Sequence, residues 1–390
     1  KGRDPEMQTW EAEGRDGRPA GAFGLASGKA GEAVRAKLPE ERITRAVTVL
    51  GEAATWTDLA DRFPGARVVG CSTAGELADV ELLEDALVAT AIEFEHSRVE
   101  VATVQLDEAA DSAALGARLA ARLPAAGLVH VLVLSEGLNV NGSALVAGLR
   151  AVLPPAVGLT GGLSGDGARF TRTAVCVDGP TPSQQIVAIG LYGARLQVGC
   201  GSRGGWEPFG PERLITRATG SVLYELDGEP ALDLYRRYLG EHAAALPASG
   251  LAFPLAIRGA TGEPVVRTIL AIDDAARSLT FAGDVPTGHR ARLMKTNVSG
   301  LVTGAAAAAA TSVAGATTGS PDLAILISCV GRKLVMKQRT EDELEAVRAA
   351  LGAHTTLTGF YSYGEIAPFG ADAPCQLHNQ TMTVTTISER

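Results

Sequence analysis

The stretch "LVHVLVLSEGLNVNGSALVAGLRAVLPPAVGLTGGLSGDG", Leu128 to Gly167, decides the fold. It opens on an unbroken apolar run, Leu128 to Leu134, short and rich in β-branched residues, which reads as a buried strand. A helical segment follows, with Leu145, Leu149 and Val152 on one stripe and Pro154 as its stop. Asn139 or Asn141 stands where a helix cap is needed. A second strand then reaches Gly161 and a turn that sets a serine and an acid among glycines. Strand, helix, strand implies two parallel strands joined by a right-handed crossover. The polar turn then lies at a carboxyl end, where open α/β sheets place ligands.

The same unit is written twice more. "VTVL" (Val47 to Leu50) precedes a helix face of Trp56, Leu59 and Phe63, stopped by Pro64, and then "RVVGCSTAGEL" (Arg67 to Leu77). "LAILI" (Leu323 to Ile327) precedes "TEDELEAVRAALG" (Thr340 to Gly352) and then "LTGFYSYGEIAPFG" (Leu357 to Gly370). In that third helix Thr340 and Glu343 form a capping box, Leu344, Val347 and Leu351 make the buried face, and Gly352 ends it. Gly70, Gly161 and Gly359 open the three turns; Glu76, Asp166 and Glu365 close them. Gly, Ser and Asp are common in any turn, but the same order of residue types three times over argues for a repeated unit. Alternating segments follow each turn ("ALVATAIEFEHSRVEVATV", "QQIVAIGLYGARLQVG", "QTMTVTTI") and predict antiparallel hairpins that extend the sheets. The expected fold is α/β, two halves with mixed sheets flanked by helices, built on repeated β-α-β units with Gly-Ser-Gly-acid loops.

Composition sets the outer limits. A chain of 390 residues suggests two domains or one large α/β assembly, and its net charge of −9 argues against general affinity for nucleic acid or anionic lipid. The five cysteines are scattered, with no C-x-x-C, so neither a disulfide framework nor a zinc ribbon is indicated. A reducing, cytoplasmic setting fits best. The N-terminus carries no apolar signal segment, and "KGRDPE" reads as an expression remnant before Met7. "LVTGAAAAAATSVAGA" (Leu301 to Ala316) is too short to cross a bilayer, which takes roughly 20 residues.

The turns carry chemistry suited to a small zwitterion. Glu76, Asp166 or Glu365 can receive an ammonium group, and Arg332 can pair bidentately with a carboxylate. Ser72, Thr73, Ser164 and Ser362 add hydroxyls to the backbone amides of the glycine-rich turns, and Tyr361 and Tyr363 can wall an apolar side chain. A solvated Arg332, and a Glu365 that holds its own loop together, are the structural alternatives. "CQLHNQT" adds His378 and Asn379. His378 is the first candidate for a haem axial ligand and His289 the second; without C-x-x-C-H any haem is non-covalent. A thiol nucleophile, Cys375 or Cys71, is the enzymatic alternative, a hydrolase. If residues 375 to 378 are extended, Cys375 and His378 point to opposite faces, which counts against that pairing. "GEPALDLYRRYLG" (Gly228 to Gly240) reads as structural, with a turn at Asp227-Gly228, Pro230 in the first helical turn and a face of Leu232, Tyr235 and Leu239.

Together "VVGCSTAGEL", "GGLSGDG", "YELDGEPALDLYRRYLG", "TGFYSYGEIAP" and "CQLHNQTMTVT" resemble the FIST family, from about Ala46 to the end of the chain. The resemblance implies a FIST N-terminal domain over 29–222 and a FIST C-terminal domain over 223–390, after a flexible tail over 1–28. It implies a bacterial sensory protein that binds a small ligand such as an amino acid. Some stand-alone members look like haem proteins that sense nitric oxide and regulate a histidine kinase. With both halves accounted for, signalling is expected through such a partner. A structural adaptor without ligand is the remaining alternative.

Overall fold

The computed structural model describes residues 65–84, 86–106, 111–179, 184–259, 264–314, 320–370 and 373–390, with the backbone of strands Ala22–Ser27 and Val47–Leu50. It is an α/β protein built on three mixed sheets, with an antiparallel domain inserted between two strands of the third. The first helix face (Trp56, Leu59, Phe63) lies outside the described residues.

The second sheet runs in the order Arg98–Gln105, Gln185–Tyr192, Leu128–Ser135, Gly158–Leu163, Gly364–Ala367, Gln376–His378. The third runs Leu196–Arg203, Met382–Glu389, Leu323–Cys329, Thr356–Ser362, Glu76–Ala78, Glu81–Leu83. Each has a central parallel pair, Leu128–Ser135 with Gly158–Leu163 and Leu323–Cys329 with Thr356–Ser362, and antiparallel neighbours outside it. In the first sheet the strand parallel to Arg67–Cys71 is Ala22–Ser27. Val47–Leu50 is instead the edge strand, paired antiparallel with Val88–Glu93 alone. Residues 22–27 thus belong to a sheet rather than to a tail.

The segments after the turns do not fold back as hairpins. Val88–Glu93 lies in the first sheet and Arg98–Gln105 in the second; Gln185–Tyr192 lies in the second and Leu196–Arg203 in the third. The chain is handed from sheet to sheet at these points. The short strands after each turn are also exchanged. Glu76–Ala78 and Glu81–Leu83 join the third sheet, Gly364–Ala367 and Gln376–His378 the second, and Val175–Val177 the first. The three units therefore close a cycle, each finishing its neighbour's sheet.

Burial explains why the central strands are apolar without alternation. Leu132, Leu134, Ile189, Leu323, Ile325, Ile327 and Val69 face a core shared by strands of all three sheets. Their neighbours Val131, Val133, Ala324 and Leu326 face the helices through Leu145, Leu149, Leu344 and Val347. Strands covered on both faces read as continuous apolar runs.

The helices carry two corrections. In Gly142–Val152, Asn141 caps the N-terminus by accepting from the Ala144 amide, and Leu145 and Leu149 are buried, but Val152 is 44% exposed; Val146 is the third buried side chain. Helix Glu341–Leu351 has no capping box: Thr340 makes no side-chain cap, and Glu343 is drawn into the interior by Arg332. Leu344, Val347 and Leu351 are buried as expected, and Gly352 ends the helix at φ 88°.

Among the described residues the inserted domain spans eight strands between Glu207 and Lys295 and the helix Ala231–Leu239, which follows a turn at Asp227-Gly228 and buries Leu232, Tyr235 and Leu239. It has a core of its own, from Ile215 to Leu293. The division at 222/223 falls within its hairpin Glu207–Thr219/Val222–Leu226. Among the described residues no helix is long and apolar enough to cross a membrane; the alanine-rich segment is the helix Val298–Val313.

Candidate functional site

The three polar turns meet. The Ala74 amide donates to the Tyr361 carbonyl at 2.8 Å, the Tyr363 amide to the Leu163 carbonyl at 3.1 Å, and the Gly165 amide to the Ser72 carbonyl at 2.9 Å. Counted from Gly70, Gly161 and Gly359, every donor is the fourth residue on and every acceptor the second. Each turn thus binds the next in a closed ring. Gly161 and Gly359 begin it because a Cβ there would fall 2.1 Å and 1.8 Å from the carbonyl oxygens of Val133 and Leu326 on the adjacent strands.

The side chains of the ring are largely occupied by one another. Thr73 donates to Glu76 at 2.6 Å, and Ser362 to Glu365 at 2.6 Å. Thr381 donates to Glu365 through its hydroxyl (2.8 Å) and its amide (3.2 Å). Ser72 exchanges bonds with Ala174. Asp166 accepts from the amides of Phe170, Thr171 and Arg172 and from the Tyr363 hydroxyl, whose ring stacks on Phe170 with centroids 4.5 Å apart. Burial alone would raise the Asp166 carboxyl, but the Tyr363 hydroxyl and those amides outweigh it and hold the group well below the usual range. Ser164 Oγ, Glu76 Oε2 and both amide atoms of Asn379 are buried without a hydrogen-bond partner.

Glu365 is fully buried, and burial pushes its carboxyl up to about 8 against the bonds from Ser362 and Thr381; Glu76 is pushed up to about 7 for the same reason. An unfolded glutamate titrates near 4.5. Between that pH and about 8 the unfolded chain releases a proton that the folded chain keeps. This part of the stability is therefore complete in acid and falls as pH rises, levelling off above about 8. Glutamine keeps an oxygen for Thr381 and offers an amide to Ser362. The Tm of Glu365→Gln, measured from pH 5 to 9, should decline less than wild type; parallel curves would refute a neutral Glu365.

Arg332 is not open to a ligand. It is 0% exposed and pairs with Glu343 at 2.6 Å, while its remaining donors reach the carbonyls of Gly204, Leu301 and Gln380. Ser328 and Tyr361 donate to the other Glu343 oxygen, at 3.0 and 2.6 Å, so Tyr361 points into this network and walls no pocket. His378 does not fit an axial ligand. It is 0% exposed, Nε2 is 2.8 Å from the Ala367 carbonyl oxygen, and the ring packs edge-on to Phe369 at 4.2 Å. Burial holds its pKa down at about 3. Neither thiol is poised as a nucleophile: burial pushes Cys375 up to about 12 and Cys71 higher still.

An open space lies elsewhere. A cleft of about 800 Å³ separates helix Gly142–Val152 and the turn 155–159 from the inserted domain, with Pro368 and the segment 373–377 as its third side. Ser143, Ala147, Arg150, Arg267, Asp284, His289, Cys200 and Cys375 line it. None of the ring residues does. His289, second to His378 in the sequence reading, is the histidine placed here. Two contacts tie the walls together: the Asn141 amide donates to Asp284 at 2.8 Å, and Arg267 reaches the Leu377 carbonyl at 2.9 Å and the Ser143 hydroxyl at 3.3 Å. Sequence reasoning missed Arg150 and Arg267, although a lone arginine in the apolar strand Val265–Arg267 is itself a sign of a buried role.

Comparison with known proteins agrees with the sequence resemblance. Residues 46–229 match the FIST N domain and residues 231–368 the FIST C domain, so "CQLHNQT" lies beyond the matched region. Uncharacterised proteins from two strains of Mycobacterium tuberculosis are 27% identical over 256 residues, 61% of this chain. The match spans 63% of their length. A crystal structure of cyanuric acid hydrolase from A. caulinodans is similar at a TM-score of 0.17 and 13% identity, covering 75% of this chain and 99% of that one, too slight to bear on fold or activity. FIST domains are sensory domains. With both domains matched in order along most of its length, the chain belongs to the FIST family.

Proposed function

We propose that this protein is a sensor that takes a small ligand into the cleft between its three-sheet body and the inserted domain, and that a partner such as a histidine kinase reads the result. The observation that carries the proposal is the construction of the cleft from separate parts of the chain: residues 143–159, Cys200, the inserted domain from Ile257 to His289, and Pro368 with residues 373–377. Its volume suits a small molecule. Among the described residues, the Asn141–Asp284 and Arg267 hydrogen bonds named above join the two sides. A ligand touching these parts favours one relative placement of the two bodies, and differential affinity for that placement is all that signalling needs.

An amino-acid-like ligand would find a guanidinium for its carboxylate at Arg267 and a carboxylate for its ammonium at Asp284. Haem is the second reading, favoured by one fact: His289 lines the cleft together with two arginines suited to propionates. His289 would hold the iron, and bound iron would supply the nitric oxide chemistry.

Ala147 is exposed on the cleft wall, so Ala147→Trp fills the space without disturbing a core. Thermal-shift titration with the common amino acids, and absorption titration with haem, should give a saturable effect in wild type that this variant loses. A Soret shift lost in His289→Ala would settle on haem; one retained would place haem elsewhere. Ligands that act equally on wild type and Ala147→Trp would overturn the cleft as the site.

A further inference from the structure

We infer that the cleft is built for an anionic head group, a carboxylate or a phosphate monoester on an apolar body, held between Arg150 and Arg267. The inference rests on the reading of the cleft as the ligand site and names the class of ligand.

Neither arginine is held in an ion pair, although the Asp284 charge acts on Arg267 from beyond pairing distance. Other buried or half-buried arginines are paired, Arg332 with Glu343, Arg348 with Asp79 and Arg390 with Asp322, while half-buried Arg203 ends on carbonyls, in a chain whose net charge is −9. Among the described residues Arg150 and Arg267 make no ion pair. Arg267 is 4% exposed, and its guanidinium ends on neutral oxygens: the carbonyls of Asp284, Val266 and Leu377 and the hydroxyl of Ser143. Arg150 gives Nη1 to the Val157 carbonyl at 2.8 Å, while its Nε is buried and has no hydrogen-bond partner. A buried guanidinium without an anion is costly, and the usual remedy is a bidentate carboxylate or phosphate.

The rest of the lining leaves that place open. Among the described lining residues Asp284 is the one carboxylate, and it already accepts from Asn141. One acid faces two guanidiniums, so the site favours an anion over a cation. Cys200 and Cys375 are kept neutral by burial and supply no thiolate. Val146, Pro155, Leu159, Ile257, Val265 and Pro286 form the walls, which suit a hydrocarbon or aromatic body.

The test compares four probes of one shape with the full chain: phenylacetate, phenyl phosphate, phenethylamine and 2-phenylethanol, titrated by calorimetry at low salt. At least one anion should bind saturably and the amine and alcohol should not. Arg150→Met should weaken that anion tenfold or more, with Arg150→Lys in between. Arg150 carries the test because Arg267 also joins the two bodies. A preference between phenylacetate and phenyl phosphate identifies the head group. Amine or alcohol binding as tight as the anions, but blocked by Ala147→Trp, would overturn the anion assignment and leave the cleft as the site. Anion binding unchanged in Arg150→Met, or absent for both anions, would also overturn the assignment. Anion binding that survives Ala147→Trp would remove assignment and cleft together.

Discussion

Arg332→Met is expected to lower the unfolding free energy by about 3–5 kcal/mol. The loss comes less from the missing attraction than from what stays behind. Glu343 is 0% exposed and would be left with only the Ser328 and Tyr361 hydroxyls as donors. The carbonyls of Gly204, Leu301 and Gln380, from three other parts of the chain, would lose a charged donor at the same time. Adding Glu343→Leu should recover part of the stability, because the stranded polar group is then gone. Urea unfolding of the single and double variants measures both terms. A single variant within about 1 kcal/mol of wild type would mean that the network is not closed as described.

Gly359→Ala is expected to cost as much or more, about 4 kcal/mol upward, with a sharp drop in folded yield. The new methyl carbon would lie 1.8 Å from the Leu326 carbonyl oxygen, and that oxygen belongs to the parallel partner strand in register with Gly359. Nothing there can rotate aside. The strand pair must open, and Tyr361 and Tyr363, two and four residues on, carry two bonds of the ring. Gly161→Ala should behave alike, since it meets the Val133 carbonyl oxygen at 2.1 Å and has φ 156°. Gly370→Ala is the control: it has open space and should stay within about 0.5 kcal/mol of wild type. Equal denaturation midpoints for Gly359→Ala and Gly370→Ala would contradict the close approach.

The elements were readable in the sequence because their signals are local. Continuous apolar runs marked strands covered on both faces, and Leu145, Leu149, Leu344 and Val347 marked the helix faces against them. The exchange of short strands between sheets was not readable. It depends on pairings such as Gly359 with Leu77 and Glu365 with Gly162, which no neighbouring residue announces. Glu343 shows the limit in one residue: Thr-x-x-Glu writes a capping box and an inward acid in the same letters, and Arg332 in space decides between them. The turns are alike in sequence and in their ring bonds, but their hydroxyls and acids are largely taken up in holding the ring.

The cleft left a fainter trace. Ser143, Ala147 and Arg150 are spaced i, i+4, i+7, a face of small residues ending in an arginine beside the buried stripe of the same helix. That face gains a meaning only when Arg267 and residues 373–377 close over it, from far along the chain.

Hydrogen exchange of the full chain, with and without the strongest stabiliser from the titrations, locates the ligand on the molecule. With the ligand in the cleft, exchange should slow in helix Gly142–Val152 and in residues 373–377 and stay unchanged in the ring at 70–76, 161–167 and 359–365. Protection confined to the ring, with the cleft segments exchanging as before, would return the ligand to the three turns and contradict the cleft as the site.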